Sequence, residues 1–578
     1  MPEAITDNLD LWSSVLLTKS TAGRGSNNKL EAYGIKKLRE LILELAIHGK
    51  LVPQDANDEP ASVLLENIAK EKARLIKEGV IKNEKDLLPI SNEEIPFDLP
   101  GEWVWQRLGE IGFTQTGGTP SKTNKEYFGN DIPFLKPGDI YPGYVDYENE
   151  GLSNEGAKAL GRTAPAGSIL MVCIGTIGKC NIIERTCAFN QQINSITPYM
   201  EMSSYLLNAL GSVYFQKTAW EMSSSTTIAI LNKGKWVDIV VPIPPLEEQH
   251  RIVAKVDELM ALCDQLEQQQ THSIESHQTL VASLLGTLTR VESQQKFSAA
   301  WARIASHFDI LFTTEASIDQ LKQTILQLAV MGKLVPQDLN DEPASTLLKR
   351  IKAEKAKLVA EGKSKKDKPL PPITEDEEPF ELPKMWEWVR LGDLATQITD
   401  GAHHTPEYIS DGVPFLSVKN LSSGYLDFTD TRFISPAAHA ELTKRCNPEL
   451  DDILLTKIGT TGIAVVIDDP RPFSIFVSVA LIKLPKVLID RDYLSLVINS
   501  PFVRQQSEDG TEGVGNKNLV LRKINTFDIP LAPLAEQQRI VAKVEELMAL
   551  CDALKERFAD AQTTQHHLAD AIVEQAVA

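Results

Sequence analysis

The sequence of 578 residues contains no long hydrophobic run and no excess of basic residues. No apolar stretch approaches the roughly 18 residues that a membrane-spanning helix needs. Glu3 and Asp7 stand where a secretory signal would carry basic residues, so we expect a cytoplasmic protein with no membrane partner. Lysine and arginine number 59 against 79 aspartates and glutamates, a formal net charge of −20. This deficit argues mildly against a nucleic-acid partner.

Cysteines are few, and nucleotide-binding motifs are missing. The seven-residue steps between Cys173, Cys180 and Cys187 match no common metal pattern, so we expect reduced thiols and no metal site. The sequence contains no P-loop that would hold a nucleotide and no glycine-rich S-adenosylmethionine loop after a strand. The segment IPPLEE at 243–248 lacks the polar and aromatic side chains of an amino-methyltransferase loop, which indicates a strand-to-helix turn.

Two further patterns are weak signals for chemistry. Glu361 and Lys363 form an acid–x–lysine triplet, but they lie where a charged helix meets a charged linker, which is typical of a solvated surface. His403 and His404 are adjacent, so they cannot both face one metal from a strand, and a loop contact is the better interpretation. We therefore expect a non-catalytic chain that binds no cofactor.

What the sequence does contain is an internal repeat. GKLVPQDANDEPAS at 49–62 returns as GKLVPQDLNDEPAS at 332–345, and QHRIVAKVDELMALCDQL at 249–266 returns as QQRIVAKVEELMALCDAL at 537–554. Each copy consists of a leading helical region, a variable body and a long helix. A repeat of this kind has to be recognised before the fold can be interpreted.

The leading region is helical by its pattern. Five apolar residues fall on one helix face: Ile35, Leu38, Leu41, Ile42 and Leu45. Gly49 follows as the expected C-terminal cap. Asp58 is the expected N-cap of a second helix that has Pro60 in its first turn and ends at Gly79. The second copy repeats this pattern from Ile318 to Gly362.

The bodies at 96–243 (body one) and 379–529 (body two) have short β-branched runs broken by Gly, Pro, Asn and Asp. This pattern predicts mixed, strand-rich domains with many loops. The bodies share two short anchors: IPFLKPGDI at 132–140 with VPFLSVKNL at 413–421, and IGTIG at 174–178 with IGTTG at 458–462. A shared scaffold with different loops indicates two binding sites of one type that recognise different targets. We assign the repeat-matched Trp103, Trp105, Trp386 and Trp388 to the scaffold core.

Each long helix carries an apolar seam with alternating steps of four and three residues. The seam residues are Ile252, Val256, Leu259, Cys263 and Leu266 in the first copy, and Ile540, Val544, Leu547, Cys551, Leu554 and Phe558 in the second. Two partners are open to such a seam: the helix's own domain, or the long helix of the other copy. We favour the second, because both copies keep the same surface.

These motifs together resemble the specificity subunit of a type I restriction–modification system. The helix motif PLxEQxRIVAKVxELMALCDxL and the segment GKLVPQDxNDEPAS carry the resemblance most specifically. GGTPSKTNKEYFGNDIPFLKPGDI at 117–140 and DGAHHTPEYISDGVPFLSVKNL at 400–421 resemble that family's target-recognition domains. The resemblance covers about residues 30–560 and leaves out the first 30 residues.

The resemblance implies a DNA-recognition role in a prokaryotic cytoplasm. Each target-recognition domain would read one half of a bipartite, asymmetric double-stranded DNA site. The repeated helices would separate the domains and dock two modification subunits, which carry S-adenosylmethionine and methylate adenine N6. Restriction subunits would add an ATP- and Mg-dependent translocating nuclease. This chain itself would bind none of these cofactors.

The expected fold class is α+β, a tandem pseudo-symmetric repeat of two strand-rich target-recognition domains separated by long helices that pair as a coiled-coil-like spacer. The expected domains are 1–95 (helical), 96–243 (target recognition), 244–378 (central helical region), 379–529 (target recognition) and 530–578 (spacer helix). A helix over 246–267 would span roughly 33 Å. That length is close to one DNA turn of roughly 34–36 Å.

The expected DNA contacts are polar loop residues beside the shared anchors, since Gln and Asn can read adenine and Lys can read guanine or phosphate. They are Thr119, Ser121, Lys122, Lys136, Lys179, Gln191, Gln192, Asn232 and Lys233 in body one, and His403, His404, Lys419, Asn420, Lys457, Asn516, Lys517, Asn518 and Arg522 in body two.

Two alternatives remain open. One is a scaffold with two protein-binding modules on a coiled coil, which the acidity of the bodies favours: body one has 11 basic against 14 acidic residues, and body two 15 against 20. The other is a fused restriction enzyme, against which the missing methyltransferase and ATPase motifs count strongly.

Overall fold

The chain divides into two compact units in the computed structural model. Unit 1 consists of Met1–Ile274 and Ala561–Ala578, and unit 2 of Glu275–Asp560. Each unit therefore holds the beginning of one long helix and the end of the other. The structure describes residues 3–19, 29–82, 87–121, 123–224, 228–291, 294–362, 364, 369–513 and 517–578.

Unit 1 starts with a mainly helical region. Its elements are α1 (Glu3–Thr6), α2 (Leu9–Ser14), the antiparallel strands β1 (Leu17–Lys19) and β2 (Lys29–Glu31), α3 (Tyr33–Ile47) and α4 (Ala61–Lys77). The apolar face predicted for α3 is buried. Gly49, with φ +66°, follows this helix, and the Lys50 N–H donates to the Leu45 carbonyl at 2.9 Å. The predicted C-terminal cap is therefore confirmed.

The predicted cap of α4 is wrong. Pro60 is the N-cap residue, and no side chain accepts a hydrogen bond there. The Asp58 carboxylate instead pairs with the Arg251 guanidinium at 2.5 Å. The second copy repeats this ion pair between Asp341 and Arg539 at 2.6 Å. Asp58 therefore ties the leading region to the first turns of the long helix.

Body one is built around two four-stranded sheets. Their orders are β11-β10-β13-β4, which is antiparallel, and β8-β5-β12-β9, in which β5 and β12 are parallel. The strands are β3 (Val104–Arg107), β4 (Gly112–Thr116), β5 (Phe128–Leu135), β6 (Ile140–Tyr141), β7 (Tyr144–Val145), β8 (Gly151–Leu152), β9 (Thr163–Ala164), β10 (Ile169–Val172), β11 (Cys180–Ile182), β12 (Cys187–Phe189), β13 (Ile193–Pro198) and β14 (Val240–Ile243). The helices are α5 (Asn154–Leu160), α6 (Ser203–Gly211), α7 (Val213–Glu221) and α8 (Lys233–Asp238).

The first long helix, α9, follows body one directly and runs over Leu246–Arg290. The interpretation of IPPLEE as a strand-to-helix turn is confirmed, because β14 ends two residues before α9 begins. The predicted length is wrong: the helix has 45 residues, about 68 Å, and not the single DNA turn inferred from 246–267.

Unit 2 repeats the design. Its leading helices are α10 (Gln294–Ser306), α11 (Phe308–Leu311), α12 (Glu315–Val330) and α13 (Ala344–Ala360). The strands of body two are β15 (Glu387–Arg390), β16 (Gln397–Asp400), β17 (Val413–Leu416), β18 (Arg432–Ile434), β19 (Ile453–Thr456), β20 (Ala464–Val466), β21 (Ser474–Ile475), β22 (Val479–Lys483), β23 (Thr511–Glu512), β24 (Asn518–Leu519) and β25 (Asp528–Leu531). Its helices are α14 (Leu391–Leu394), α15 (Pro436–Thr443), α16 (Arg491–Asn499), α17 (Pro501–Asp509) and α18 (Leu521–Asn525), and the second long helix α19 (Leu534–Val577) closes the chain.

The two bodies share one topology. The sheet β16-β22-β19-β20 has the same strand order as β4-β13-β10-β11, and β17 pairs with β21 in parallel as β5 does with β12. In each body a two-stranded sheet, β3-β14 or β15-β25, joins the first strand to the last strand before the long helix. The predicted tandem α+β class is therefore confirmed.

Seven of the eleven seam residues are buried, but not against the seam of the other copy, and Leu266, Leu547, Leu554 and Phe558 are half-buried. Ile252, Val256, Leu259 and Cys263 share a core with the apolar face of α3, whereas Ile540, Val544 and Cys551 share one with α12. Ion pairs rim these contacts: Arg39 of α3 reaches Asp264 at 2.6 Å, and Lys555 reaches Asp319 of α12 at 2.5 Å. The two seams therefore do not face each other, because each packs on the leading helix of its own copy. The predicted pairing of the two long helices is made instead by the start of one helix and the end of the other.

The end of each long helix packs with the other copy. Ala569 of α19 is fully buried in the core of unit 1, with Ile572 and Val573 packed against that core. Val281 and Leu285 of α9 are buried in the core of unit 2. Each unit thus holds a helical bundle in which the start of one long helix, the end of the other and a leading helix share one core. No described helix is long and apolar enough to cross a membrane.

The scaffold assignment of the tryptophans is confirmed. Trp103 and Trp386 are buried, and each indole N–H donates to a buried carboxylate at the start of a long helix, Glu248 at 2.9 Å and Glu536 at 3.0 Å. Trp105 and Trp388 are half-buried and pack edge-on against phenylalanine rings. Burial raises the pKa of Glu536 against the opposing effect of its two hydrogen bonds.

Candidate nucleic-acid interface

Three loops meet at one place in each body. In body one, the IGTIG loop between β10 and β11 is hydrogen-bonded to the segment before α8: the Gly175 N–H donates to the Ala229 carbonyl at 3.0 Å, and the Leu231 N–H to the Cys173 carbonyl at 2.8 Å. The third loop follows β4 at Gly117, whose N–H donates to the Ile193 carbonyl at 3.0 Å. These backbone bonds fix the loops without using their outer side chains.

Body two has the same framework. The Gly459 N–H donates to the Lys517 carbonyl at 3.1 Å, the Leu519 N–H to the Lys457 carbonyl at 2.7 Å, and the Ala402 N–H to the Ile475 carbonyl at 2.9 Å. Glycine is required at the start of the third loop, since a Cβ on Gly401 would lie 2.0 Å from the Ile475 carbonyl oxygen. Both bodies therefore hold different side chains on the same backbone frame, which is formed by these three hydrogen-bonded loops.

In body one the frame presents neutral polar groups. Thr119 and Gln191 are exposed and bonded to each other, with the Thr119 hydroxyl donating to Gln191 Oε1 at 2.8 Å. Gln192 is half-buried and accepts a 3.0 Å hydrogen bond from Asn190. Ser121 is exposed and bonded to Thr123 at 2.7 Å. The predicted DNA contacts in the loop after β4 therefore lie close to residues 190–192, the loop before β13.

The remaining body-one candidates surround this cluster. Lys136 pairs with Glu150. Lys179 is half-buried, with its ammonium 5.3 Å from the centroid of the Tyr141 ring. Asn232 is exposed but caps α8 by accepting from the Lys235 N–H at 2.9 Å, and Lys233 is half-buried in the first turn of that helix. Lys122 lies outside the described residues.

In body two the frame encloses a charge network. The Asp400 carboxylate is buried and accepts from Lys457 Nζ at 3.1 Å, from the Arg445 guanidinium, and from His403 Nε2 at 3.0 Å. Because an ionised carboxylate only accepts, His403 Nε2 is the donor and its Nδ1 faces away from this bond. His403 remains about half exposed (52%). The network therefore holds its imidazole at the surface in one orientation.

Two predicted DNA contacts of body two are corrected. Lys457 is buried and bound to Asp400, so its ammonium is used inside the fold. Asn420 is 2% exposed, and its amide donates to the carbonyls of Asp427 and Asp430 while its oxygen accepts from the Ser417 N–H. Asn420 stabilises its turn and Lys457 compensates a buried carboxylate, and neither side chain is free to reach a base.

The other body-two candidates differ in exposure. His404, Lys517 and Arg522 are exposed, and Arg522 pairs with Glu512. Lys419 pairs with Asp430 at 2.8 Å. Asn518 is half-buried, and none of the described residues donates to its buried Oδ1. Asn516 lies outside the described residues.

Body one has a neutral equivalent of the charge network. Cys173 is the residue aligned with Lys457. The Cys173 N–H donates to the carbonyl of Gln192, the residue before β13, and the Lys457 N–H donates to the carbonyl of Ser478, the residue before β22. Burial raises the pKa of the Cys173 thiol to about 12, so this group stays neutral. It accepts from Asn194, which in turn accepts from Thr116, the residue aligned with Asp400.

The sequence interpretation missed one exposed feature that both bodies share. Tyr144 is 57% and Tyr425 61% exposed, each on a turn beside the frame. The signal was available in the sequence, as GYVD at 143–146 and GYLD at 424–427. Among the described residues, no group of three His, Cys, Asp or Glu side chains is placed to hold a metal ion.

Comparison with known proteins assigns the chain. The type I restriction modification DNA specificity domain matches twice, at residues 100–276 and 383–560. The EcoAI specificity subunit of Escherichia coli is 40% identical over 593 aligned residues, and the EcoEI specificity subunit of the same organism is 39% identical over 603, each alignment covering 99% of both chains. A solved structure of a type I restriction–modification system aligns with a TM-score of 0.49 at 18% identity, covering 83% of this chain and 99% of that one.

The two domain matches fall on the two bodies and on about the first two thirds of each long helix. The bodies are therefore DNA-specificity domains, and the protein-binding scaffold is not supported. The chain recognises DNA and is the non-catalytic subunit of its system. It belongs to the family of specificity subunits of type I restriction–modification enzymes.

Proposed function

We propose that each body reads one half of a bipartite, asymmetric duplex site, body one over 96–243 and body two over 379–529. The chain selects the DNA site at which its partner subunits methylate or cleave, and it catalyses neither reaction itself. Modification subunits bound to it methylate adenine N6 with S-adenosylmethionine. Restriction subunits add ATP- and Mg-dependent cleavage.

The observation that carries this proposal is one backbone frame with different polar groups. Body one presents the Thr119–Gln191 pair, whose groups both donate and accept hydrogen bonds. Body two presents His403 in a fixed orientation at the same position of the frame. Base pairs differ in their pattern of donors and acceptors in the major groove, so unlike side chains on one frame select unlike sequences.

The proposed base and phosphate contacts are the sequence candidates that the structure leaves accessible. They are Thr119, Ser121, Lys136, Lys179, Gln191, Gln192, Asn232 and Lys233 in body one, and His403, His404, Lys419, Lys517, Asn518 and Arg522 in body two. Several are held by acidic partners, as Lys136 is by Glu150 and Lys419 by Asp430. Phosphate oxygens would replace those carboxylates when DNA binds.

Charge indicates that DNA binding needs the partner subunits. Body one has a net charge of −3 and body two of −5 by their Lys, Arg, Asp and Glu counts. Phosphate neutralisation dominates affinity for duplex DNA. We therefore propose that two modification subunits, docked on the long helices, supply most of the cationic surface. The chain alone should bind DNA weakly, and the complex strongly with a steep salt dependence.

The test is long-read methylation sequencing of cells that express this chain with its modification subunit. The expected result is N6-methyladenine in a two-part motif with a fixed gap, which disappears when this chain is omitted. Absence of methylation despite a stable complex of the two proteins would overturn the proposal. Expression of the modification subunit alone is the matched control.

A further inference from the structure

Each body contains one turn with the same sequence pattern, GYVD at 143–146 and GYLD at 424–427. The glycines that open the two turns have φ values of +83° and +88°. L-residues rarely adopt this backbone conformation, so glycine is needed at both positions. The two turns therefore share a backbone shape although the loops around them differ.

The aspartates of both turns are anchored in the same way. The Asp146 N–H donates to the Asp139 carbonyl at 2.8 Å, and the Asp427 N–H to the Asn420 carbonyl at 2.9 Å. Each aspartate also accepts from the N–H two residues later, at 3.0 Å for Asp146 and 2.8 Å for Asp427. The acidic groups are therefore occupied within the fold.

The aromatic residue after each turn is anchored as well. The Arg185 guanidinium lies 4.3 Å from the centroid of the Tyr147 ring, and that of Arg471 lies 4.0 Å from the Phe428 ring. Both rings pack against the core of their body. Stacking of this kind holds the arginine and the ring in place together.

The tyrosine side chain of the pattern stays largely exposed in both bodies. Tyr144 is 57% and Tyr425 61% exposed, although every other member of the pattern is used to fix the turn. A single exposed aromatic residue needs no explanation. Here the same exposed residue recurs on the same anchored turn in two domains whose other exposed residues differ. Whatever it contacts must be common to both halves of the target.

The tyrosine of body one lies next to the proposed DNA contacts. The rings of Tyr141 and Tyr144 are stacked, with centroids 4.5 Å apart. Asn181 donates to the Tyr141 carbonyl at 3.0 Å, and the Lys179 ammonium lies 5.3 Å from its ring. The turn is thus joined to the segment that follows the IGTIG loop.

We propose that Tyr144 and Tyr425 contact the sugar–phosphate backbone of the duplex, one in each half-site. The phenolic O–H donates to a phosphate oxygen and the ring lies against a deoxyribose. Such contacts position a protein on DNA without reading its sequence. This explains why the tyrosine is shared while the base-reading side chains differ. The proposal rests on the proposed DNA-reading function of the two bodies.

The experiment uses the complex of the full chain with its modification subunit. Tyr144→Phe, Tyr425→Phe and the double variant remove only the hydroxyl groups. Leu339→Ala is the control, because Leu339 is 80% exposed in the leading region of the second copy, away from both bodies. Binding is measured to a duplex that carries the methylated motif and to a scrambled duplex, and the motif of each variant is sequenced.

Each single variant is expected to bind both duplexes about tenfold more weakly, since a hydrogen bond to a charged group is lost. The double variant should lose roughly the product of the two factors, with the methylated motif unchanged. Unchanged affinity in both single variants overturns the proposal. A changed base in the motif would make the tyrosines base readers, and a loss of bound modification subunit would make them a docking contact; either result also overturns it.

Failure of the proposed function would look different. In that case the wild-type complex itself would produce no two-part motif. The scrambled duplex alone would still test whether the tyrosines contact the DNA backbone.

Discussion

In body two, the buried Asp400 carboxylate depends on Lys457, which is buried beside it. Removing one partner of a buried ion pair leaves an uncompensated charge and typically costs about 3–5 kcal/mol. Arg445 and His403 also bind Asp400, so we expect Lys457→Met to cost about 3 kcal/mol. Hydrogen exchange of β16 and β22, with thermal unfolding, measures this loss.

The chain offers a matched rescue and a matched control for this variant. Body one has the neutral Thr116 and Cys173 at these positions. Adding Asp400→Thr to Lys457→Met should recover part of the lost stability, because no charge is then left buried. Lys419→Met, which breaks the half-exposed pair with Asp430, should cost less than about 1 kcal/mol. Equal losses in the single and double variants would contradict the role given to this pair.

The orientation of His403 gives a second prediction at the residue scale. His403→Ala should change the methylated motif in one half only, and Thr119→Ala combined with Gln191→Ala should change the other half only. Asp400→Asn keeps the size of the side chain that orients His403 but removes its charge, and should relax the same position as His403→Ala. The measurement is methylation sequencing of each variant. A change in both halves from either variant would contradict the division of labour between the bodies.

These residues also mark how far the sequence predicts the site. Polar loop residues beside the shared anchors include Thr119, Gln191 and His403, which the structure leaves exposed. Lys457 and Asn420 have the same sequence signal, a polar residue after a strand or in a turn, yet both are buried. What separates them is contact with Asp400 or Asp430, which depends on tertiary packing and not on local pattern.

At the scale of elements, the periodicity of the long helices predicted burial but not the partner. The seam identifies an apolar stripe, and a stripe fits any complementary helix. The segment 267–280 is polar and suggests that α9 ends there, whereas the helix continues to Arg290. It continues because its end is buried in the core of unit 2, a contact that the helix sequence does not contain.

This packing predicts effects far from the mutated residue in sequence. Ala569 and Val281 are 0% and 1% exposed and occupy matched positions of the two long helices. A buried unpaired carboxylate costs several kcal/mol. Ala569→Asp should therefore speed hydrogen exchange in α3 of unit 1, and Val281→Asp in α12 of unit 2. The matched controls are Leu568→Asp and Leu280→Asp, because both leucines are 50% exposed. Equal exchange in all four variants would refute the shared cores.

At the scale of the whole molecule, both long helices begin in one unit and end in the other. The seam of α9 at Ile252–Cys263 is fixed in unit 1, and Val281–Leu288 is fixed in unit 2. The polar segment between them, residues 267–280, is part of neither of these two buried stretches. We therefore expect the length of this segment, together with its counterpart in α19, to set the gap between the two half-sites.

Four residues inserted into both segments, at 267–280 and 555–568, should add about 6 Å of helix. At roughly 3.4 Å per base pair, the gap in the methylated motif should widen by about two base pairs while both half-sites stay the same. Insertion into α9 alone would give the two helices conflicting lengths, so we expect a less stable chain and no new gap. The same insertion between Glu361 and Pro369, in the charged linker before body two, should leave the gap as it was. An unchanged gap after the double insertion, with methylation intact, would show that the long helices do not space the two domains.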